Sequence, residues 1–209
     1  SSSHSARHSR LLGVGLGCLL AYAARADNWP AWRGPEGIGA ANEKGLPFRW
    51  STNENVRWRV PLPERGNSTP IIWGRRVFLT QAVEHRRTLM CLDRTNGKLL
   101  WQQGPTYTEN ESAHATNPLG SSSPVTDGER VIAWFGSAGL YCYDLDGKEL
   151  WHRDLGSQKH HWGWGSSPML HDDLCFLNFG PGVPSFLLAV DKHTGKTVWQ
   201  VDEPNADDG

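Results

Sequence analysis

The sequence is poor in several residue types, and each shortage excludes a class of protein. Its 209 residues include four cysteines and two methionines, and 21 lysine and arginine residues face 22 aspartate and glutamate residues. The first 26 residues hold three arginines and no acid, so the remainder carries 18 basic against 22 acidic side chains. Without a basic excess, nucleic acid and acidic membrane surfaces are not expected partners. The three cysteines beyond residue 26 do not suggest a dense disulfide framework.

Spacings typical of metal sites are also missing beyond residue 26. No His-x-x-x-His, Cys-x-x-Cys or His-x-Glu pattern occurs there, and no two cysteines are adjacent. The sequence therefore predicts no metal site.

The first 26 residues have the pattern of a secretory signal peptide. Arg7 and Arg10 precede an apolar run over 11–24 that is too short to span a bilayer, and 24–26 reads Ala-Arg-Ala. We therefore expect cleavage near Ala26 and a periplasmic or extracellular mature chain without a transmembrane segment. A buried N-terminal helix is the alternative. The first residue is Ser, so the N-terminus need not be complete.

Glycine, proline and tryptophan are abundant, and a segment of about fifty residues recurs three times. Each copy opens with Ser-Thr-Pro or Ser-Ser-Pro and ends in Gly-Lys-x-x-Trp. The closing residues Trp101, Trp151 and Trp199 lie 50 and 48 positions apart. Turn dipeptides such as Asn-Gly and Asp-Gly separate four β-rich runs in each copy, with no helical period between them.

These features predict an all-β β-propeller with one four-stranded antiparallel blade per copy. The blades are expected over about 67–102, 121–152 and 165–201. A β-sandwich is the alternative, but it would not require the same residues to recur in register.

A strand is also expected over 55–61, ahead of the first copy, because Trp58 follows the same pattern as the closing tryptophans. Residues 27–54 then form an N-terminal extension. An outer strand at this place needs three inner strands from another part of the protein. Three blades and one strand do not close a ring of about four to eight blades. We therefore expect a fragment of a longer propeller that is monomeric at full length.

An Asp–Gly–Trp set recurs at the end of each copy. The glycine suits the turn, the aspartate can accept from backbone donors in it, and the tryptophan can cover a neighbouring blade. Repetition in every blade favours an architectural role over catalysis. The expected blade-docking residues are Asp93, Gly97, Trp101, Asp144, Gly147, Trp151, Asp191, Gly195 and Trp199.

This motif resembles that of the pyrroloquinoline-quinone (PQQ)-type β-propellers, Ala-x-Asp-x-x-x-Gly-x-x-x-Trp. Residues 189–199 match it completely and residues 91–101 match it except for the alanine. The segment 28–39, Asn-Trp-Pro-Ala-Trp-Arg-Gly-Pro-Glu-Gly-Ile-Gly, is similar to the opening of secreted propellers from planctomycete-like bacteria. The resemblance implies the fold and no single activity, because the superfamily includes quinoprotein dehydrogenases and an outer-membrane assembly lipoprotein.

Two inter-blade loops carry the candidate binding residues, since loops between blades gather on one face of a propeller and polar or aromatic groups on a rigid scaffold suit binding. Histidine can act as a base or ligand, and tryptophan can stack on a flat cofactor or a sugar ring. Adjacent His160 and His161 are expected to point apart and so chelate poorly. Solvated or sealing loops are the alternative. The candidates are Glu111, His114 and Asn117 in the first loop and His160, His161, Trp162 and Trp164 in the second.

The resemblance also bears on cofactors. Active quinoprotein dehydrogenases of this superfamily hold the quinone and calcium with Glu, Asn and Asp, and many carry an adjacent Cys–Cys disulfide. Glu111 and Asn117 match these ligands by residue type only. PQQ and calcium are therefore implied by resemblance alone, and no catalytic residue is assigned.

Three functions remain open. The first is an exported binding or scaffold module that recognises an unknown protein or carbohydrate through its loop face. The second is a periplasmic PQQ-dependent dehydrogenase that oxidises alcohols or sugars. The third is an envelope-assembly scaffold that receives partner strands at its sheet edges.

Overall fold

The computed structural model describes residues 27–203, so the predicted signal peptide and its cleavage site lie outside the described residues. Between residues 71 and 202 the chain forms three four-stranded antiparallel sheets, which confirms the all-β propeller prediction. A 3-10 turn at Gly136–Ala138 is the one helical element of residues 27–203. The strands are β1 (Ile71–Trp73), β2 (Arg76–Val83), β3 (Arg86–Asp93) and β4 (Leu99–Gln103); β5 (Val125–Thr126), β6 (Arg130–Trp134), β7 (Leu140–Asp144) and β8 (Glu149–Arg153); β9 (Met169–His171), β10 (Leu174–Phe179), β11 (Phe186–Asp191) and β12 (Thr197–Asp202).

Each sheet keeps its strands in chain order, as in a propeller blade that runs from its inner to its outer strand. The first strands of the blades are neighbours, with β5 in contact with both β1 and β9. A β-bulge interrupts the pairing of the third and fourth strands at the same place in every blade. It lies at Cys91/Leu92, at Cys142/Tyr143 and at Ala189/Val190.

The core lies between the faces of adjacent sheets. One buried cluster joins the first and second blades around Phe78 and Tyr143, and another joins the second and third around Trp134 and Leu188. Three free cysteine thiols are buried, and burial raises the pKa of each to about 12. They fill space in the sheets as small apolar side chains do.

The N-terminal extension crosses the inner strands. Trp29 and Ile72 of β1 exchange two backbone hydrogen bonds of 2.8 Å, and the carbonyl oxygen of Pro30 accepts from the backbone N–H of Thr126 in β5 at 2.9 Å. Residues 55–61 pair with no strand of the described chain, and the predicted outer strand at this place stays a prediction.

Antiparallel order fixes which connections share a face of the molecule. The turn between the second and third strands of each blade and the loop that leads to the next blade lie at the same end. We call this end the loop face. It is formed by residues 64–70, 84–85, 104–124, 135–139, 154–168 and 180–185. Within residues 27–203, no helix is both long and apolar enough to cross a membrane.

Candidate functional site

Three tryptophans each contact the blade that follows them. Each indole N–H donates to the carbonyl oxygen of the residue directly after the motif aspartate of that blade. The pairs are Trp58 with Arg94 at 2.8 Å, Trp101 with Leu145 at 3.1 Å, and Trp151 with Lys192 at 2.9 Å.

The motif glycines lie directly beneath these rings. A β-carbon at Gly97, Gly147 or Gly195 would come within 2.6 to 2.8 Å of the docked indole, and all three glycines have positive φ. Only a residue without a side chain fits both the turn and the ring. These contacts support the proposal that the Asp–Gly–Trp set joins neighbouring blades.

The motif aspartates are engaged in their own turns. Asp93 Oδ1 accepts from the backbone N–H of Thr95 at 2.7 Å, and Asp191 Oδ1 accepts from the backbone N–H and the hydroxyl of Thr194, both at 2.8 Å. The threonine hydroxyl and then its backbone N–H lower the pKa of each carboxyl. Asp144 accepts from two backbone donors in the same manner. Carboxylates held in this way support the architectural proposal rather than a catalytic one.

The two candidate loops lie against each other on the loop face. The side-chain amide of Asn117 donates to the carbonyl oxygens of Trp162, at 2.7 Å, and Trp164, at 3.1 Å. The rings of His114 and Trp162 are 4.4 Å apart. The structure therefore brings together residues that are about 45 positions apart in the sequence.

Glu111 is not available to a ligand. Its side chain is 1% exposed and pairs with Arg87, whose side chain is 3% exposed, at 2.6 Å. Its second oxygen accepts from the backbone N–H of Ser137 at 2.9 Å. Since both oxygens are used, Glu111 ties the first loop to β3 and to the 3-10 turn. The sequence suggested a binding role for Glu111, and its geometry does not support that role.

Trp164 was predicted as a binding residue of the second loop, but its side chain is buried. Its side chain is 2% exposed and packs 6.1 Å from the ring of Trp134 in the core between the second and third blades. Its ring fills the space above Gly136, where a β-carbon would clash. The ring of Trp164 is therefore part of the core between the second and third blades, and neither of its faces is exposed for a ligand to stack on.

The two adjacent histidines do not point apart. Their ring centroids are 4.7 Å from each other because the chain turns at 161–162 instead of running extended. His160 is buried and its Nδ1 accepts from the backbone N–H of Trp162 at 3.3 Å, whereas His161 is exposed. The prediction that His160 and His161 point apart assumed an extended chain, and it was wrong.

Trp162 is the candidate tryptophan that offers an exposed surface. It is 51% exposed, and its ring centroid lies 4.4 Å from that of His114 and 5.0 Å from that of His161. Thr116 holds His114 in place through a hydrogen bond of 2.8 Å to Nδ1. We call Trp162, His114 and His161 the Trp162 platform.

Arg87 and Ser137 are residues of this region that the sequence did not single out. A signal for Arg87 was available, because it lies two residues before the apolar run 89–92, and a guanidinium that becomes buried there requires a carboxylate partner. No comparable signal exists for Ser137. Its hydroxyl accepts from the backbone N–H of Gln158 at 2.9 Å and so joins the 3-10 turn to the second loop.

The residues present do not fit PQQ and calcium in the way the resemblance implies. Glu111 is used by Arg87, and the side-chain amide of Asn117 is used by two backbone carbonyls. Among residues 27–203 no three His, Cys, Asp or Glu side chains are grouped to hold a metal ion.

Sequence comparison assigns the chain to a family. The PQQ_2 family, described as outer membrane protein assembly factor BamB, matches residues 48–161 and 85–208. The chain belongs to this family. The predicted PQQ-type propeller is thereby confirmed, while the planctomycete-like origin remains a prediction. No curated protein matches the chain significantly.

Solved structures agree on the fold. The chain is similar to the quinohemoprotein alcohol dehydrogenase from Comamonas testosteroni, with 17% identity over 87% of this chain and 28% of that one and a TM-score of 0.60. A europium-containing methanol dehydrogenase shares 18% identity over 66% of this chain and 25% of its own, with a TM-score of 0.53. The quinohemoprotein alcohol dehydrogenase ADHIIG from Pseudomonas putida HK5 shares 19% identity over 70% of this chain and 22% of its own, with a TM-score of 0.51. The chain spans about a quarter of the length of these proteins.

Proposed function

We propose that this chain is part of an exported β-propeller that binds a protein or carbohydrate through its loop face. Export is inferred from the signal-peptide pattern of residues 1–26. The observation that supports the binding role is the Trp162 platform, where a half-exposed indole contacts two histidine rings. A large aromatic surface next to hydrogen-bonding groups is typical of binding sites.

The loops that carry this surface are held in place by hydrogen bonds and a buried ion pair, so binding a ligand costs less conformational entropy. Asn117 links the two loops through the carbonyls of Trp162 and Trp164. The buried pair of Arg87 and Glu111 fixes the first loop to the blade. The surface is thus presented by a scaffold that needs little ordering when a ligand arrives.

Photo-crosslinking tests this proposal. A photoreactive phenylalanine analogue is placed at position 162 of the full-length protein, and at exposed Trp50 as the matched control. After irradiation in the native envelope, we expect a specific adduct from position 162 and none from position 50. Equal labelling at both positions, or no adduct at 162, would contradict a binding loop face.

An envelope-assembly scaffold is the second candidate, and the family favours it. The matching family is described as an outer membrane protein assembly factor. If this candidate is correct, the molecule crosslinked to position 162 is an outer-membrane assembly protein. Crosslinking to a glycan or to an unrelated protein would count against this candidate.

A quinone-dependent alcohol dehydrogenase is proposed from likeness to solved dehydrogenases alone. The engaged side chains of Glu111 and Asn117 do not favour it. Adding PQQ and calcium to the full-length protein and measuring dye-linked oxidation of alcohols and sugars would test it. Turnover that depends on the quinone would establish this activity, and absence of both a bound chromophore and turnover would reject it.

A further inference from the structure

A cavity adjoins the Trp162 platform on the loop face. It is open to solvent, has a volume of about 320 Å³ and shares His114 with the platform. The polar residues that line it besides His114 are Glu64, Arg65 and Glu84. These three side chains are exposed and form no hydrogen bond or ion pair with any residue of the described range 27–203.

We propose that the platform and this cavity together form a saccharide-binding site, in which Trp162 stacks on a sugar ring and Glu84, Glu64 and Arg65 bind its hydroxyl groups. This inference rests on the proposed function and names its ligand class. It adds residues of the segment before β1 and of the β2–β3 turn to the two loops already considered.

The chemistry of the surface suits a sugar. One face of a sugar ring presents C–H groups that pack on an indole, and its edge presents hydroxyl groups. Carboxylates accept from hydroxyl groups, a guanidinium donates to their oxygens, and such charge-assisted bonds are the stronger ones. The carboxylates and the guanidinium line the cavity, and the half-exposed indole of Trp162 adjoins it through His114, so the two kinds of contact lie on neighbouring parts of the loop face.

The same surface is a poor receptor for a peptide. The one strand residue in the cavity lining is Ala82 of β2, an interior strand of its sheet, so a peptide cannot add a strand there. The apolar lining consists of small or short side chains, which form no deep pocket for a large anchor of a bound helix. It comprises Ala82, Ala113, Ala115, Pro118 and Leu119.

Affinity gel electrophoresis of the full-length protein tests the proposal. The gels contain dextran, laminarin, xylan, mannan or soluble peptidoglycan fragments. The variants are Trp162→Ala and Glu84→Gln, with Trp50→Ala and Glu54→Gln as matched exposed controls. All four positions are exposed, so thermal denaturation is expected to match that of the wild type.

At least one polysaccharide is expected to retard the wild-type protein. Trp162→Ala is expected to weaken that binding about tenfold, and Glu84→Gln about fivefold or more, because each removes a direct contact. The two controls are expected to bind as the wild type does. Equal retardation of all variants would overturn the proposed site.

The outcome also separates this inference from the proposed function. If no polysaccharide retards the protein but crosslinking at position 162 captures a protein partner, the saccharide inference is overturned and the binding loop face stands. If neither retardation nor an adduct is observed, both are overturned.

Discussion

The indole N–H of Trp58 donates to the carbonyl oxygen of Arg94 at 2.8 Å, although Trp58 belongs to no strand of the described chain. Trp101 and Trp151, which lie in the outer strands β4 and β8, make the equivalent contact with the next blade. A residue ahead of the first blade thus docks as the blade-closing tryptophans do. This equivalence supports the proposal that residues 55–61 close a blade whose other strands lie outside the described residues.

Removing a docked tryptophan should destabilise the propeller. Trp101→Ala deletes a ring that packs on Gly147 and donates to Leu145 O, and it leaves a cavity between two blades. We expect a loss of about 3–5 kcal/mol in the free energy of unfolding, measured by urea denaturation. Exposed Trp50→Ala is the control and should cost less than about 0.5 kcal/mol. A loss below about 1 kcal/mol for Trp101→Ala would contradict a docking role.

The glycine beneath the ring gives a separate test. Gly147 has φ +89° and Gly37 has φ +69°, but only Gly147 lies against a ring, that of Trp101. Gly37→Ala should therefore cost only the backbone strain of a positive φ, about 1 kcal/mol. Gly147→Ala adds a clash and should cost about 1–3 kcal/mol more. Equal losses in the two variants would show that the ring does not press on Gly147.

The blade architecture could be predicted from the sequence because its determinants are local. An Asp, a Gly and a Trp within about ten residues mark each turn and its following strand, and the copies can be aligned by eye. The docking partner of Trp58 follows from that register. No residue pattern marks the β-bulge between the third and fourth strands, which lies at Cys91/Leu92 in the first blade and at the equivalent place in the other two.

The site was less predictable because its contacts are long-range. Nothing near Glu111 in the sequence indicates that it pairs with Arg87 across the loop, and this pairing removes it from the candidates. Likewise Trp162 and Trp164 are two positions apart in a glycine-rich segment, yet one is exposed and the other lies in the core. Trp164 is the buried one because it packs against Trp134 of β6 and above Gly136 of the 3-10 turn. The sequence around residue 164 gives no sign of these contacts.

The buried ion pair should matter more to stability than exposed pairs do. Glu111→Gln leaves the guanidinium of Arg87 buried without a counter-charge, and we expect a loss of about 3–5 kcal/mol. The control is Asp146→Asn, which breaks the pair of Arg76 with an exposed carboxylate and should cost at most about 1 kcal/mol. Limited proteolysis should also cleave the 104–120 loop faster in Glu111→Gln. Losses of similar size in the two variants would contradict the bracing role.

Acid should weaken the blade turns. The pKa of Asp191 is lowered in the folded protein, chiefly by the Thr194 hydroxyl, so its contribution to stability is present above the ordinary aspartate pKa. That contribution is lost as the pH falls through the lower folded value. Urea midpoints measured from pH 7 down to about pH 3 should therefore fall less steeply for Asp191→Asn than for the wild type. Parallel pH profiles would argue against the turn contacts of Asp191.

The central claim is that the loop face is a binding surface centred on Trp162. Its most direct test compares the oxidation rates of Trp162 and Trp50 in the full-length protein, once purified and once in its native envelope. We expect the envelope to slow oxidation of Trp162 severalfold and to leave that of Trp50, which is the more exposed of the two, unchanged. Unchanged oxidation of Trp162, or an equal slowing at both positions, would contradict it.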